Sequence, residues 1–428
     1  MKIKIDHIEK IEGHLDFEGA LLAGDVATAK ILTTEGVRLM EAILTGRPFP
    51  QAPIIAARIC GICPVVHSLN CIKAIENAFG FLVSDQTVKL RKLMEAAQIL
   101  HSHGLHFYFL SAPDFFGQGD DLKFIKKFPK EAAAAIAVRE FGLKILEVVG
   151  GRAVHPISCE VGGFKVLPEK EQLAVLLKKL PVVYNSAARL VEFSKKFSIP
   201  ELFRQTEFMA LSARTEYAYY DGKIKSLSGR KLNAKKFGHI IEELQLPGLG
   251  AKRANYKGKS YMVGALARLN LNSGKLNFKA KAAVKNLNLH FPIFNSFYNV
   301  AAQAVEILHF TEECEKLLMD LAKNLRPEKS ISEKLKLIAF ANPKGRSVWG
   351  FSAMEAPRGI LYDAIEINRD GIITAANIIT PTVQFLNNLE KDLEAYMPTL
   401  KKISKNQRAL EIKKLIRAYD PCIACATH

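Results

Sequence analysis

Two cysteine pairs of the same spacing stand near opposite ends of this 428-residue chain, Cys60-Gly61-Ile62-Cys63 and Cys422-Ile423-Ala424-Cys425. Cysteines at i and i+3 can turn both thiolates toward one metal. Two such pairs make a four-sulfur site suited to zinc, an iron–sulfur cluster or a soft transition metal. An ordinary zinc ribbon keeps its pairs roughly 12–20 residues apart; here residues 64–421 lie between them. Any fold that uses both pairs must bring its two ends together, and a site closed in that way is central to the architecture or to the chemistry. The other cysteines, Cys71, Cys159 and Cys314, are isolated and expected as small buried apolar residues. Seven cysteines in so long a chain do not suggest a disulfide framework.

Hydrophobic residues make up 49% and charged residues 24%, the balance of a globular protein with a sizeable core. A formal charge of +17 raises the question of nucleic acid, whose phosphates are neutralised by clustered Lys and Arg. The lysines here are scattered, as in Lys123, Lys126, Lys127, Lys178, Lys179, Lys195 and Lys196, and no nucleic-acid motif accompanies them. They read as a solvated surface, with acidic protein partners as the alternative. Met1–Lys10 has no apolar signal-peptide core, and no apolar run approaches the ~18–20 residues of a membrane span. An intracellular, cytoplasmic protein is expected.

Strand-like alternation marks Lys2–Ile5, Leu15–Leu22 and Val26–Leu32, followed by a short helix over Val37–Leu44. A helix is predicted from Val65 to Phe79, stopped by Gly80, and another from a Ser84 cap to about Leu110. Lys130–Val149 should end at Gly150-Gly151, and Glu169–Phe197 should break near Pro181. A β-rich subregion is expected over about 201–292, with Asp221-Gly222 turning Tyr217–Tyr220 into Lys223–Leu227. Helices return over Phe294–Lys323 and Ser332–Phe340. Strands between Val348 and Ile379 follow, turning at Asp370-Gly371, and helices over Thr382–Glu394 and Lys405–Tyr419 finish the chain. Trp349 is expected in the core. The sum is a mainly α protein with small β elements (α+β), one domain over 1–428.

The context of both pairs narrows the choice of metal. Arg58 to His67 reads R-x-C-G-x-C-x-x-x-H, and Asp420 to His428 reads D-P-C-x-x-C-x-x-H. Between and before them stand Glu12-Gly13-His14, His101-Ser102-His103-Gly104-Leu105-His106 leading to Pro113-Asp114, and Gly151-Arg152 with His155-Pro156 and Val161-Gly162-Gly163-Phe164. Glu355-Ala356-Pro357-Arg358-Gly359 and Thr380-Pro381-Thr382 come later. Together these resemble the large subunit of nickel–iron hydrogenases, in order from residue 12 to residue 428; only about 170–340 carries no signature. One departure is Lys10, where the family commonly has arginine, which keeps the charge and loses the planar fork.

The resemblance implies that fold, a central helix bundle with the metal site formed by N- and C-terminal segments, and reversible heterolytic cleavage of H2. It implies nickel held by Cys60, Cys63, Cys422 and Cys425, with Cys63 and Cys425 shared with an iron that carries carbon monoxide and cyanide. Arg358 would hang over the open metal position, with Asp114 and Asp420 as its carboxylate partners. Glu12 would relay protons from a terminal cysteine, and His67 would donate to a bridging sulfur. Pro381 and Thr382 would serve one cyanide, and backbone near Pro357 the other. Glu41, the backbone oxygen of Ile378 and His428 would hold a magnesium ion. His101, His103 and His106 read more simply as ordering hydrogen bonds, and His155 as fixing a turn.

No third cysteine cluster is present, so the resemblance also implies a separate iron–sulfur small subunit to take the electrons. The cytosolic multi-subunit branch adds flavin-bearing partners that pass them to NAD(P), a deazaflavin or a disulfide. Family precursors commonly extend past the last histidine until a maturation protease acts after nickel-insertion proteins, so the chain is expected to be mature or made without a tail. The rivals are a respiratory quinone-reducing subunit, which lacks the paired cysteines, a zinc-organised scaffold or assembly protein, and a non-catalytic hydrogen sensor.

Overall fold

A computed structural model describes residues 1–22, 26–33, 35–328 and 347–428. An antiparallel N-terminal sheet opens the chain, β1 (Lys2–Ile5), β2 (Leu15–Leu21) and β3 (Ala27–Thr33), in the order β1-β2-β3. Its inward residues Leu15, Phe17, Leu21 and Ile31 alternate with outward polar ones and are buried.

Helix α1 (Pro64–Phe79) begins at the second cysteine of the first pair. Pro64 fits its first turn because a proline there gives up no hydrogen bond, and Gly80 ends it in left-handed conformation at φ 65°. No side chain at Cys63 caps the helix. Gln98 supplies the cap from the next helix, its Oε1 accepting the N–H groups of Val65 at 2.7 Å and Val66 at 3.3 Å. That helix, α2 (Asp85–Leu105), is capped by the Ser84 hydroxyl and runs into a π-helical turn over His106–Ser111. Helices α3 (Pro129–Gly150), α4 (Leu180–Ser194) and α5 (Asn299–Asn324) pack with α2 in a closed ring, each touching the next. Together they make a four-helix bundle.

Against α1 lies a three-stranded antiparallel sheet, β4 (Val348–Ala356), β5 (Gly359–Ile367) and β6 (Ile373–Ile379). Two helices, α6 (Pro381–Tyr396) and α7 (Lys405–Ala418), then lead to the second cysteine pair. The molecule is an α+β fold dominated by helices, with small sheets near both ends.

Several details depart from expectation. The first short helix covers only Met40–Leu44, because Leu39 takes a left-handed φ of 50° and breaks it from Val37. The region from 201 to 292 holds short strands but also the helices Ala234–Ile240, Ala265–Asn272 and Phe278–Asn286. Tyr217–Tyr220 is not a strand: Lys223–Ser226 pairs with Glu207–Ser212, and the tyrosines turn into the interior. Trp349 is 45% exposed rather than core, stacking on Phe351 on the outer face of β4. The helix expected over 332–340 lies outside the described residues. Among the described residues no helix is long and apolar enough to cross a membrane.

Candidate metal centre

The first pair reaches the site on the loop before α1, and the second at the short helix Ile423–Ala426 that follows α7, Cys422 preceding it and Cys425 within it. Their four sulfurs lie within 4.8 Å of one another, all buried. Cys60 Sγ is 3.6 Å from Cys422 Sγ, and Cys63 Sγ is 3.5 Å from Cys425 Sγ. A disulfide would need about 2.05 Å, and all seven cysteines are free thiols.

Four thiolates this close repel one another. Hydrogen bonds from its neighbours lower the Cys60 thiol well below its ordinary value, while burial and those same neighbours push Cys422 up. Only a polyvalent cation lets all four ionise together, so the donor set fits a soft metal centre. Away from the cluster, burial holds Cys71 and Cys314 protonated, with the charges of Asp363 and Glu313 adding to it, in keeping with inert core residues.

The ends meet through backbone as well as sulfur. Glu12 and Cys422 form a parallel bridge in which Ile423 N–H donates to Glu12 O at 2.8 Å. Gly13 makes this possible. It turns at φ +85°, and a Cβ there would stand 2.8 Å from Ile423 Cβ and 2.7 Å from Glu35 Oε1. The Cys422 thiol then donates to Glu12 Oε2 at 2.9 Å, and Ala424 N–H donates to the same oxygen at 3.0 Å. Burial, with the Cys60 charge adding to it, raises the Glu12 pKa.

Arg358 sits at the tip of the β4–β5 hairpin. Its Nε donates to Asp420 O at 2.7 Å and its Nη2 to Asp420 Oδ1 at 2.8 Å. Nη1 is buried with no hydrogen-bond partner. Burial opposes the guanidinium charge, but Asp420 and the thiols of Cys422, Cys63 and Cys60 outweigh that and hold it firmly protonated. Asp114 does not share this clamp. Asp420 occupies two donors of Arg358, and Arg417, near the end of α7, takes Asp114 instead at 2.7 Å.

His67 Nε2 lies 3.7 Å from Cys425 Sγ, and burial pushes its pKa down to about 4. The ring is therefore neutral, and its Nε2–H tautomer can donate to the sulfur. Thr382 Oγ1 accepts the Cys422 N–H at 3.1 Å, leaving its own proton to donate elsewhere; Pro381 opens α6 beside it. The three histidines on and just after α2 make ordering contacts: His101 to Ile62 O at 3.0 Å, His103 to Glu306 at 2.8 Å, and His106 to Gln303 and Arg417 O. His155 takes a left-handed φ of 51° in its turn, and Lys10 pairs with Asp121.

A second cluster lies behind the sulfurs. His428 Nδ1 is 2.6 Å from Cys425 O, and Nε2 is 2.7 Å from Ile378 O and 4.0 Å from Glu41 Oε1. A neutral imidazole has one N–H and can serve only one of two carbonyl oxygens. A hard cation among Nε2, the Ile378 oxygen and the Glu41 carboxylate would relieve the other contact, so these residues fit such an ion. Lys252 Nζ stands 3.5 Å from Glu41 and 3.3 Å from Glu243 at its edge.

Some residues of the site carried no readable signal. Arg38 Nη2 donates to Ile59 O at 2.7 Å and to Ala424 O, tying the residue before Cys60 to the residue before Cys425. It lies three residues before Glu41, and only that proximity could have pointed to it. Thr380, by contrast, stands in the Thr380-Pro381-Thr382 motif, and its hydroxyl donates to Cys425 O at 2.9 Å.

Comparison with known proteins agrees with this geometry. The family model described as nickel-dependent hydrogenase matches residues 38–139 and 250–428. Sulfhydrogenase 1 subunit alpha of Pyrococcus furiosus is 32% identical, covering 100% of this chain and 98% of its own length. The NAD-reducing hydrogenase HoxS subunit beta of Cupriavidus necator is 26% identical, covering 100% and 94%. Among solved structures, an NAD+-reducing [NiFe]-hydrogenase in the H2-reduced state superimposes with a TM-score of 0.87 at 26% identity, covering 100% and 99%. The matched segments hold all four sulfurs, Glu41, Arg358 and His428, and this chain belongs to the nickel-dependent hydrogenases.

Proposed function

We propose that this chain cleaves H2 heterolytically at a nickel–iron centre gripped by Cys60, Cys63, Cys422 and Cys425, and passes the electrons to an iron–sulfur small subunit. The observation that carries the reading is the meeting of four buried sulfurs with a carboxylate on one of them and a free guanidinium N–H beside them. A purely structural zinc site needs four ligands and neither of those groups.

When bound, such a centre supplies the polarisation of H2 and keeps the electron pair while a base takes the proton. Cys60, Cys63, Cys422 and Cys425 would hold the nickel, and Cys63 and Cys425 the iron as well. Glu12 accepts the proton at Oε2, where the Cys422 thiol already donates, and carries it away from the site. Arg358, steadied by Asp420, holds its charge and its unpartnered Nη1 near the sulfurs and excludes competing cations. Neutral His67 donates to Cys425 and tunes the charge on that sulfur. The Thr382 hydroxyl at the head of α6, beside Pro381, and the backbone N–H of Arg358, next to Pro357, would provide donors for cyanide on such a centre, which would also carry carbon monoxide. Asp114, through Arg417, steadies the end of α7 from which Asp420 follows.

Glu12→Gln in the assembled complex keeps the carboxamide shape and loses the titrating oxygen. It is expected to retain the metals while slowing H2/D+ exchange by about 10²–10⁴-fold, the usual range for a positioned proton carrier. Unchanged exchange, followed by mass spectrometry, would remove Glu12 from the route.

Glu41, Ile378 O and His428 are assigned to magnesium, whose octahedral shell is completed by water. Glu41→Ala should release magnesium, seen by elemental analysis. At a cation concentration 100-fold above Kd the lost stabilisation would be about 2.7 kcal/mol, read as a lower unfolding temperature. An unchanged magnesium content would contradict the assignment.

Residues 1–428 are read as one domain. Gly61 reaches the surface beside Cys60, and Ile54, Val154 and Ile157 expose apolar side chains on neighbouring segments. That face suits the small subunit, in a large obligate interface. Flavin-bearing electron-transfer partners, nickel-insertion proteins, a maturation protease and a cytoplasmic location complete the reading.

A further inference from the structure

Arg268 stands on the helix Ala265–Asn272, in a stretch without any recognisable motif, and is fully buried. A guanidinium has five N–H donors in a rigid fork, and here every one is used. Nε donates to Glu306 Oε1 and Nη2 to Glu306 Oε2, each at 2.6 Å. Nη1 donates to Glu355 Oε2 at 2.9 Å. The two remaining donors, one on Nη1 and one on Nη2, reach the carbonyls of Ala356 and Pro357, both at 2.9 Å.

Those two carbonyls immediately precede Arg358. Ala356 pairs with Gly359, so Pro357 and Arg358 form the two-residue tip of the β4–β5 hairpin. Neither takes a positive φ; that conformation falls to Gly359 at φ +126°, where a Cβ would stand 2.5 Å from Val263 Cγ2 and 2.7 Å from Gly264 N. The tip is thus pressed against the start of the helix that carries Arg268, and Arg268 holds the same tip from within.

Glu306 anchors Arg268 to the bundle. It lies on α5 and also accepts His103 Nε2 from α2 at 2.8 Å and the Tyr217 hydroxyl at 2.5 Å. Burial works against its ionisation, but Arg268 and His103 outweigh that and hold its carboxyl below the usual range. A continuous path of charge-assisted bonds runs from two bundle helices through Glu306 and Arg268 to the hairpin tip. From there Arg358 continues it to Asp420, two residues before Cys422.

We propose that Arg268 is a positioning residue, fixing where Arg358 stands over the metal site by clamping the Ala356 and Pro357 carbonyls to the bundle through Glu306. The proposal rests on the nickel–iron reading above and extends it to a residue without contact to the sulfurs. Lysine, with three donors and no fork, cannot hold one carboxylate twice and two carbonyls at once. Losing the clamp lets the tip drift, and a misplacement of about 1 Å at a reacting group can cost roughly 100-fold in rate.

The test is a double-mutant cycle of R268K and R358K in the assembled complex, with metal-bound diatomic infrared bands as the check on the centre. The expected result is retained bands, a kcat lowered about 100-fold with KM for H2 little changed, and almost no further loss when R268K is added to R358K. A full multiplicative loss in the double variant, or an unchanged rate in R268K, would overturn it. Should R268K fail to assemble, E306Q, which weakens the anchor and leaves both carbonyl bonds, replaces it in the same cycle. Failure of both variants to assemble would show a structural role only and also overturn the proposal. Bands missing from the unsubstituted complex would defeat the nickel–iron reading itself, and this inference with it, whereas bands present with independent rate losses defeat this inference alone.

Discussion

Cys422→Ser in the assembled complex is expected to abolish hydrogen-dependent viologen reduction, a loss of about 10³-fold or more and thus above ~4 kcal/mol of transition-state stabilisation. Cys422 is fully buried and central to the cluster, 3.6 Å from Cys60 Sγ and hydrogen-bonded to Glu12 at 2.9 Å. Serine replaces a soft, ionisable thiol by a hard hydroxyl whose proton does not leave near neutral pH. On the proposed reading a soft metal would lose a ligand, and Glu12 would lose its thiol donor. Cys314, buried far from the cluster in sequence and held protonated by its surroundings, provides the control. Cys314→Ala should keep turnover, and retained turnover in Cys422→Ser would contradict the site.

The second large effect is expected at Arg358. Arg358→Lys should leave nickel and iron in place while lowering the rate by about 10²–10³-fold, on the scale of losing one preorganised donor. Two of its donors are committed to Asp420 and its Nη1 is unpartnered among buried groups. Lysine can keep one bond to Asp420, but not hold the carboxylate and backbone oxygen together while presenting a further N–H in a fixed direction. Elemental analysis beside steady-state rates checks this. Metal lost together with activity would mean that Arg358 holds the fold rather than the reaction.

How legible the site was depends on the kind of interaction. The cysteine pairs and their flanking residues could be read because their chemistry is local: spacing, small turns and a proline at the head of a helix all act over a few residues. For the same reason Ser84, Gly80 and Gly151 marked helix ends correctly. The motifs point Asp114 toward Arg358, but which of two arginines takes a carboxylate is decided by tertiary distance, and Arg417 is the one within reach. Arg38 and Arg268 bond backbone carbonyls far away in the chain. A lone arginine carries no pattern that announces such partners.

The same limit applies to the fold. Tyr217–Tyr220 has the aromatic content of a strand, yet Tyr217 is drawn inward by Glu306 and Tyr219 O accepts the Glu355 N–H. Burial among charged groups overrode the local preference. Trp349 is apolar enough for a core but lies on the outer face of an edge strand, with Phe351 as its cover.

Infrared spectroscopy of the purified complex, with nickel, iron and zinc counted on the same sample, tests the four-sulfur grip most directly. One nickel and one iron per chain, with stretches from metal-bound carbon monoxide and cyanide, is the expected result. A single zinc without those stretches would contradict it.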